Sequence, residues 1–402
     1  MRRGAWWIAG LALLAAPGGA PRPARFLYVW AGTGHEHEGT GFIAVLDANP
    51  ASPGYGRIVG AARVTDHAVM PHHTEYTLPD DGRFFANDYT TGQTYLIDGG
   101  SAGAPRAAGR LDSVPGLRQP HSFARLPDSR ILATMQFGDS SRPGNPGGLA
   151  EFDANGRLLR SGFSADSAFP GARIRTYGLE LLPAIDRVLT TSSPMETEAT
   201  ANVVQVWRLS DLRLLRTIRV PGVPGDSVEA YPFEVRVLAD GRTLFLNTYN
   251  CGFYRITGLE TGAPSVELVL AMHHPERVGC SVPVVLGRYW VMPIAYAHVI
   301  VTLDLADPLH PKEVSALPTD SAFCPHWLAA DPGSDRLVVT GQDDGEPRVL
   351  MARLDRATGR LSWDERFRER DSTRIGVSFN RAEWPGGAIH GMAMPHGALF
   401  VP

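Results

Sequence analysis

Histidines recur at one position of a repeated segment in this sequence. His73, His121 and His326 each stand six residues before a proline in a polar turn. His390 opens the last copy of the segment, and His72 directly precedes His73. Neutral imidazoles that converge are preorganised to bind a transition metal, whereas a lone histidine is more often a hydrogen-bonded core residue. The five histidines are therefore predicted to form a metal site, although alternation along a strand should turn His72 away from His73.

The predicted ligands are all imidazoles, with no carboxylate in the same register. Such a nitrogen-rich set suits copper or zinc, also accepts iron or nickel, and argues against calcium or magnesium. Glu75, Glu234 and Tyr177 lie on the same class of predicted strand, as does Glu180. We interpret the first three as candidate catalytic groups, acting as a general acid or base or orienting the ligands. Taken singly, each is more simply interpreted as an ordinary polar residue that lines the channel.

The other histidines are weaker candidates. One pair of histidines lies in a glycine-rich loop and another in a turn, and His396 is interpreted as a structural turn residue. The members of those groups are His35, His37, His273 and His274. Of the cysteines Cys251, Cys280 and Cys324, one pair can form a disulfide, and the sequence leaves the pairing open.

The elements that must position the histidines repeat about every fifty residues. In each copy an alternating apolar run, a Pro/Asp/Gly turn and further apolar runs follow one another, which is typical of short antiparallel strands. The last copy ends after one strand, and the first strands of the chain lack a leading strand. The sequence thus predicts an all-β, seven-bladed β-propeller closed by pairing of the C-terminal strand with the N-terminal strands, although six or eight blades also fit the length. The copies begin at His73, His121, Tyr177, Phe233, Ser281, His326 and His390.

The net charge and the N-terminal composition limit the partners and the location that we expect for the protein. The net charge is −4 and there is no basic run, so no nucleic-acid partner is expected. Residues 1–24 have the basic start, apolar run and small residues of a signal peptide, which predicts a periplasmic or secreted protein without a membrane anchor after cleavage. Residues 25–402 are then a single propeller domain, with the charged segment 366–384 a candidate lid.

The N-terminal part of the sequence also resembles a known family. The run Phe42–Tyr55 followed by His72-His73 is similar to the N-terminal signature of the selenium-binding proteins, a family that includes bacterial methanethiol oxidases. His121, His326 and His390 fall where that family carries further histidines. The resemblance implies a periplasmic seven-bladed propeller with histidine-bound copper. It also implies oxidation of a small thiol, methanethiol, by O2 to formaldehyde, hydrogen sulfide and hydrogen peroxide.

The sequence departs from that family in three respects, one of which is that the chain is shorter than typical members. Tyr76 stands where the family usually has Trp, and the N-terminal cysteine segment associated with selenium is absent. Two other functions therefore stay open. One is a propeller lactonase or esterase with a hard divalent ion, for which Asn87, Asp88, Asn247 and Glu234 are the available ligands. The other is a propeller that binds a metal or a partner without catalysis.

Overall fold

The structure, a computed structural model, describes residues 22–34, 37–100, 103–195, 198–224, 230–272, 279–342 and 345–402. These residues form seven antiparallel sheets, which confirms the predicted seven-bladed β-propeller. Turn residues separate short strands throughout, and two 3-10 turns, Pro183–Ile185 and Ala295–Ala297, interrupt them. In the part of the chain that is described, no helix has the length and apolar character needed to cross a membrane. Most of the predicted signal peptide lies outside the described residues.

The strand order within the blades is regular. Blade 1 has the order β29-β1-β2-β3, and blades 2 to 7 follow along the chain, from β4–β7 to β24–β27, with the short β28 pairing β26 in the last blade. In chain order the strands are β1 (Phe26–Gly32), β2 (Gly39–Asp47), β3 (Ile58–Ala68), β4 (Pro71–Thr74), β5 (Arg83–Asp88), β6 (Gln93–Asp98), β7 (Arg106–Arg110), β8 (Arg118–Arg125), β9 (Ile131–Phe137), β10 (Gly148–Phe152), β11 (Leu158–Phe163), β12 (Thr176–Leu182), β13 (Arg187–Ser192), β14 (Val203–Arg208), β15 (Leu214–Arg219), β16 (Pro232–Val237), β17 (Leu244–Thr248), β18 (Gly252–Thr257), β19 (Ser265–Ala271), β20 (Val284–Leu286), β21 (Tyr289–Ile294), β22 (Val299–Asp304), β23 (Lys312–Pro318), β24 (Pro325–Ala330), β25 (Arg336–Gly341), β26 (Arg348–Leu354), β27 (Leu361–Trp363), β28 (Val377–Ser378) and β29 (Met394–Val401).

The two ends of the chain close the ring within blade 1. Strand β29 is the inner strand of that blade and pairs antiparallel with β1, from Phe26 opposite Val401 to Gly32 opposite Met394. All eight residues of β29 are buried. The described domain also includes Ala24, just before the predicted domain start: it is buried, and its N–H lies 3.3 Å from the Asp331 carboxylate of blade 7.

Neighbouring blades are joined by one repeated hydrogen bond. A polar side chain on the second strand of a blade donates to a backbone carbonyl at the start of the inner strand of the next blade. Because each bond crosses between sheets, these donors set the height of the inner strand at five junctions, between blades 2 and 3, 3 and 4, 4 and 5, 5 and 6, and 7 and 1. The donors and acceptors are Asn87 to Pro120, Thr134 to Tyr177, Thr191 to Phe233, Asn247 to Cys280 and Thr340 to His396.

The charged segment 366–384 does not cover the end of the ring as a lid. Its aromatic side chains Phe367, Phe379 and Trp384 are fully or almost fully buried and belong to the apolar core shared by blades 7 and 1. The Trp384 ring meets Phe42 edge-on at 4.6 Å between centroids. The segment is therefore a structural seal beside the closing blade, because burying three aromatic rings there stabilises the joint.

Candidate functional site

Five histidines meet at the end of the central channel where the inner strands begin. His72 and His73 lie on β4, His121 on β8, His326 on β24 and His396 on β29, on four consecutive blades. All five side chains are buried, with at most 6% of the residue surface exposed. We call these five residues the histidine cluster.

The imidazoles of the histidine cluster are in mutual contact. The Nε2 atoms of His72 and His121 are 3.0 Å apart, and the rings of His72 and His73 stack at 4.0 Å. His396 lies 4.3 Å from His72 and 4.8 Å from His326 between ring centroids. Two groups of three have nitrogen atoms within 4.8 Å of one another, and His73 belongs to both. The groups are His72, His73 and His121, and His73, His326 and His396.

His72 and His73 face the same side of their strand, against the expected alternation. The pairing of β4 with β5 shifts register between Pro71 and Thr74, so the residues between them do not follow the regular pleat. An irregularity of this kind re-aims side chains and is common beside functional sites. His72 therefore joins the cluster because of a local backbone irregularity that strand periodicity does not reveal.

The predicted position of His390 is wrong. His390 is exposed and forms an isolated bridge with Glu383 before β29 begins, so it is not near the other imidazoles. His396, which we interpreted as a structural turn residue, takes that place in blade 1. A signal in the sequence does identify it: the dipeptide Pro-His occurs four times, at His72, His121, His326 and His396, and all four are in the cluster.

The histidine cluster is electrically neutral at neutral pH. Burial lowers the pKa of every member, and the charges that the neighbouring imidazoles would carry lower most of them further. The pKa of His121 falls to about 3 and that of His326 to about 4. Neutral imidazole is the form that ligates a metal, so proton competition for the site is weak.

Several ring nitrogens of the cluster have no hydrogen-bond partner in the protein. These are Nδ1 of His72, Nε2 of His73, both nitrogens of His326 and Nδ1 of His396. Leaving a buried polar atom unpaired costs about 1–3 kcal/mol, so this many at one place indicates that something else binds them. The residues present thus fit a metal ion, and imidazole donors suit the borderline transition metals.

One further contact fixes the orientation of an imidazole. The Ser122 hydroxyl lies 2.9 Å from Nδ1 of His121 and 3.5 Å from Nδ1 of His73. The backbone N–H of His73 donates to Asn87 Oδ1 at 2.7 Å, and the Asn87 Nδ2 donates to Pro120 just before His121. Asn87 therefore fixes His73 of blade 2 relative to His121 of blade 3, as residues outside the ligand set do in metal sites.

A pocket of about 630 Å³ opens above the histidine cluster. Three of the histidines, His72, His326 and His396, lie at its floor, with Gln342 beside them. Its wall is mainly aromatic and sulfur-containing, which is the composition of a site for a small, mostly apolar ligand. The aromatic and sulfur-containing wall residues are Met70, Tyr177, Met195, Tyr231, Phe233, Tyr249 and Tyr296, and Ser193, Pro194, Glu198 and Ala199 complete the lining.

Tyr177 reaches the pocket, as a candidate catalytic residue should. Its ring lies 3.7 Å from that of His121 and 4.3 Å from that of Phe233. Burial, followed by the negative charge of Glu234, raises the pKa of Tyr177 well above its ordinary value. The phenol therefore stays protonated and can donate a hydrogen bond to a ligand in the pocket.

Glu75 and Glu234 are placed differently from Tyr177. Both Glu75 oxygens accept hydrogen bonds from Arg125 of blade 3 at 2.8 Å, and Oε2 also accepts from the Phe85 N–H. Glu75 is thus tied into a bridge between blades. Glu234 follows Phe233 on β16, is almost fully buried and bonds Arg236 at 2.7 Å. Neither carboxylate lines the pocket.

The oxygen ligands considered for a hard cation divide into two groups: those of Asp88 and Asn87 accept backbone N–H groups, whereas Oδ1 of Asn247 and Oε1 of Glu234 are buried with no partner in the protein. One oxygen of Asp88 accepts hydrogen bonds from the backbone N–H groups of Val69 and Met70, and the other accepts from the backbone N–H of Thr91. Asn87 and Asn247 donate to backbone carbonyls of the following blades, in equivalent positions of blades 2 and 5. The shared role of Asn87 and Asn247 is structural, because each amide Nδ2 ties its blade to the next one.

The cysteines and the remaining histidines complete the inventory. Cys251 and Cys280 form a disulfide, and Cys324 is buried without one. The disulfide adjoins the pocket because the N–H groups of Gly279 and Cys280 donate to the carbonyl of Tyr249. Predictions for His35, His273 and His274 fall outside the described residues, and His37 is not among the pocket residues.

Comparisons with known proteins define the fold but not the family. Neither the protein-family models nor the curated proteins include a match to this sequence. Among solved structures, a hypothetical selenium-binding protein from Sulfolobus tokodaii is similar with a TM-score of 0.73 and 14% identity, covering 94% of each chain. The periplasmic gluconolactonase of Pseudomonas aeruginosa is similar with a TM-score of 0.63 and 14% identity, covering 94% of this chain and 99% of that one.

These structural similarities extend over nearly the whole chain. At such low identity they establish the β-propeller relationship, and a propeller hosts many unrelated functions. The protein is therefore a seven-bladed β-propeller with a histidine cluster that can hold a metal ion. Its activity has to be argued from the cluster and the pocket.

Proposed function

We propose that the protein is a copper-dependent oxidoreductase of a small thiol, with the copper ion held by the histidine cluster. Zinc is the alternative ion for the cluster, and because zinc has no redox chemistry its presence would favour a function other than thiol oxidation. The single observation that carries this proposal is the set of unpaired, neutral imidazole nitrogens at the floor of an aromatic pocket. The resemblance to methanethiol oxidases supplies the reaction: methanethiol, O2 and water give formaldehyde, hydrogen sulfide and hydrogen peroxide. A bound copper ion would supply the one-electron chemistry that O2 reduction needs.

In this proposal the protein residues bind and orient the substrate. The aromatic wall of the pocket excludes water, and the thioethers of Met70 and Met195 give a polarizable surface that suits a sulfur-containing ligand. The neutral Tyr177 phenol, next to His121, is the hydrogen-bond donor for the substrate or for a reduced oxygen species. His72, His326 and His396 line the pocket and would present a bound ion to it, while His73 and His121 lie on the side of the cluster away from the pocket.

We further propose that the protein is exported. The pattern of residues 1–24 supports this, and so does the disulfide between Cys251 and Cys280, because disulfides persist mainly in oxidising compartments. Oxidation of a volatile thiol outside the cytoplasm also keeps peroxide away from cytoplasmic thiols. Detecting the mature N-terminus by mass spectrometry of protein from a secreting host tests this proposal.

The decisive experiment is metal analysis of the protein as purified, with its absorption and EPR spectra. We expect about one copper ion per chain. His73→Ala or His121→Ala should lower the affinity for copper at least tenfold, because each variant removes one ligand from the coordination shell. His390→Ala is the matched control, since that histidine is exposed and remote from the cluster. No metal after loading with copper or zinc, or equal loss in the control, contradicts the proposal.

A second candidate function is lactone hydrolysis, favoured by the similarity to the Pseudomonas gluconolactonase. Of the oxygen ligands it would need for a hard cation, those of Asn87 and Asp88 accept backbone N–H groups in blade 2, and Asn247 and Glu234 lie in blade 5, which argues against the calcium-dependent form. An assay on a simple lactone with added Ca²⁺, run beside peroxide release from methanethiol, separates the two. A protein that binds metal but does neither is a non-catalytic binding propeller.

A further inference from the structure

The pocket above the histidine cluster has two sides of different chemistry. The histidines that line it, His72, His326 and His396, lie on blades 2, 7 and 1. The aromatic rings of its wall lie across the ring on blades 4 to 6, with Tyr177 and Phe233 on inner strands. A ligand that fills the pocket therefore meets nitrogen donors on one side and aromatic rings on the other.

The aromatic rings form a continuous surface that begins at the histidine cluster. The centroid of the Tyr177 ring lies 3.7 Å from that of His121 and 4.3 Å from that of Phe233. Phe233 in turn lies 5.5 Å from Tyr249. Rings at these spacings pack as aromatic pairs, which favour defined relative orientations. An apolar, flat group on a ligand would thus find a preformed surface to pack against.

The pocket is much larger than methanethiol. Its volume is about 630 Å³, which falls within the roughly 300–1,000 Å³ of sites that enclose drug-sized ligands. Methanethiol, with a single carbon and a single sulfur, would contact the histidines and leave most of the aromatic wall uncovered. Because the free energy of binding gains from each apolar surface removed from water, a thiol with a larger organic group should bind more tightly.

The charges of the lining restrict the ligand further. None of the described residues that line the pocket is a lysine or an arginine. The single carboxylate among them, Glu198, is already paired, since both of its oxygens accept hydrogen bonds from Arg175. A carboxylate or phosphate on the body of a ligand would lose hydration there without gaining a counter-ion, which is unfavourable. The lining therefore favours an uncharged ligand.

We propose that the substrate is an uncharged primary thiol with an aromatic or similarly large apolar group, of which phenylmethanethiol is an example. Its sulfur binds on the histidine side, and its aromatic group packs against Tyr177 and Phe233. This inference rests on the proposed function and extends the substrate from methanethiol to this class. The reaction balances as before: the C–S bond breaks, the carbon loses two electrons and takes its oxygen from water, and O2 gains two electrons. The products are the aldehyde, hydrogen sulfide and hydrogen peroxide.

The test is calorimetric titration of the metal-free protein with three thiols in the absence of O2. Phenylmethanethiol should bind at least tenfold more tightly than methanethiol. Phenylmethanethiol with a carboxylate in the para position should bind at least tenfold more weakly than the parent thiol. Similar affinities for the first two thiols overturn the role of the aromatic group, and similar affinities for the parent and its carboxylate overturn the requirement for an uncharged ligand.

Phe233→Leu and Phe245→Leu are a matched pair of variants for the same titration. Both phenylalanines are buried on strands of blade 5, but Phe245 packs against Phe253 and Trp290 and does not line the pocket. Phe233→Leu should lower the preference for phenylmethanethiol over methanethiol at least threefold, because an aromatic contact is lost, and Phe245→Leu should leave it unchanged. Near-UV circular dichroism verifies that both are folded. An unchanged preference in folded Phe233→Leu overturns the proposed placement of the aromatic group.

Assays of the copper-loaded protein separate this inference from the proposed function. Measured as release of hydrogen peroxide, kcat/KM for phenylmethanethiol should exceed that for methanethiol at least tenfold. Similar kcat/KM values, or a preference for methanethiol, overturn the inference and leave the proposed function standing. Tight binding of phenylmethanethiol without oxidation of any thiol overturns the proposed function and leaves the ligand class of the pocket standing.

Discussion

Each imidazole of the histidine cluster is held neutral by its burial and by the others. Contact among five buried imidazoles disfavours protonation of any one of them, because its positive charge would lie in a region of low dielectric and beside other positive charges. A protein gains nothing in stability from this arrangement. The unpaired nitrogens are therefore best explained by the ion that we propose they bind.

The titration of the cluster makes stability depend on pH. Each histidine has a folded pKa below its unfolded value of about 6.5, so the unfolded chain binds more protons and stability falls as pH drops below 6.5. With its pKa of about 3, His121 alone should cost about 2 kcal/mol between pH 7 and pH 5 in the metal-free protein. Glu180, whose pKa is raised, contributes with the opposite sign between about pH 4.5 and 7.

Urea unfolding of the metal-free protein at pH 7 and pH 5 measures this dependence. His121→Phe should reduce the stability difference between the two pH values by about 2 kcal/mol, because the titrating group is removed while an aromatic ring is kept. The exposed His390→Phe should leave the difference unchanged. Equal pH dependence in wild type and His121→Phe would show that His121 is not buried as a neutral imidazole.

At the scale of elements, the site depends on how adjacent blades are locked together. The five side chains that donate across blade boundaries set the relative level of the inner strands at those boundaries, and the irregular pairing near Pro71 turns two adjacent histidines inward. The position of each histidine around the ring and its height along the channel thus have separate causes. The first follows from the repeat and the second from individual hydrogen bonds.

Asn87 and Asn247 offer a matched pair for testing this separation. Asn87→Ala removes the bonds to Pro120 and His73 and should lower the free energy of unfolding by about 2–4 kcal/mol and weaken metal binding. Asn247→Ala removes the equivalent bond to Cys280, where there is no histidine. It should destabilise the protein while leaving metal affinity within about twofold.

Denaturant unfolding and a copper titration of both variants give the two quantities. Similar losses of metal affinity in Asn87→Ala and Asn247→Ala would mean that affinity follows overall stability. The expected result is loss of affinity only in Asn87→Ala, because Asn87, unlike Asn247, contacts the backbone of His73 and the residue before His121.

For the whole molecule, closure of the ring and completion of the site are the same event. Strand β29 is the inner strand of blade 1 and also carries His396. Removing residues 394–402 should abolish cooperative folding, because the lost strand buries Leu399, Phe400 and Val401 and its absence costs more than the usual 5–15 kcal/mol of stability.

Thermal unfolding followed by circular dichroism distinguishes the two roles of this strand. The truncated chain should show no cooperative transition. His396→Ala in the full-length chain should keep a cooperative transition but bind copper more weakly. A folded truncated protein would contradict closure by β29.

Much of this architecture is encoded locally. Alternating apolar runs between Pro/Asp/Gly turns define strands, their repetition defines blades, and the unpaired strands at the two ends define the closure, because strand period and turn chemistry act over a few residues. The order of the blades around the ring then follows from chain order. The sequence therefore determined the propeller architecture and its closure, with seven blades as the predicted number, and it indicated histidines on the inner strands of several blades.

The register within each inner strand was decided only by the tertiary structure. Whether His390 or His396 faces the channel depends on where β29 begins against β1, and whether His72 joins His73 depends on an irregularity fixed by the neighbouring strand. A slip of one residue reverses the face that a side chain occupies, so local patterns do not resolve it. Contacts between distant parts of the chain also decided that Glu75 is a bridge between blades, that Asn87 and Asn247 are equivalent, and that segment 366–384 packs against the core. In each case the deciding partner lies on another strand or blade, which the local sequence does not contain.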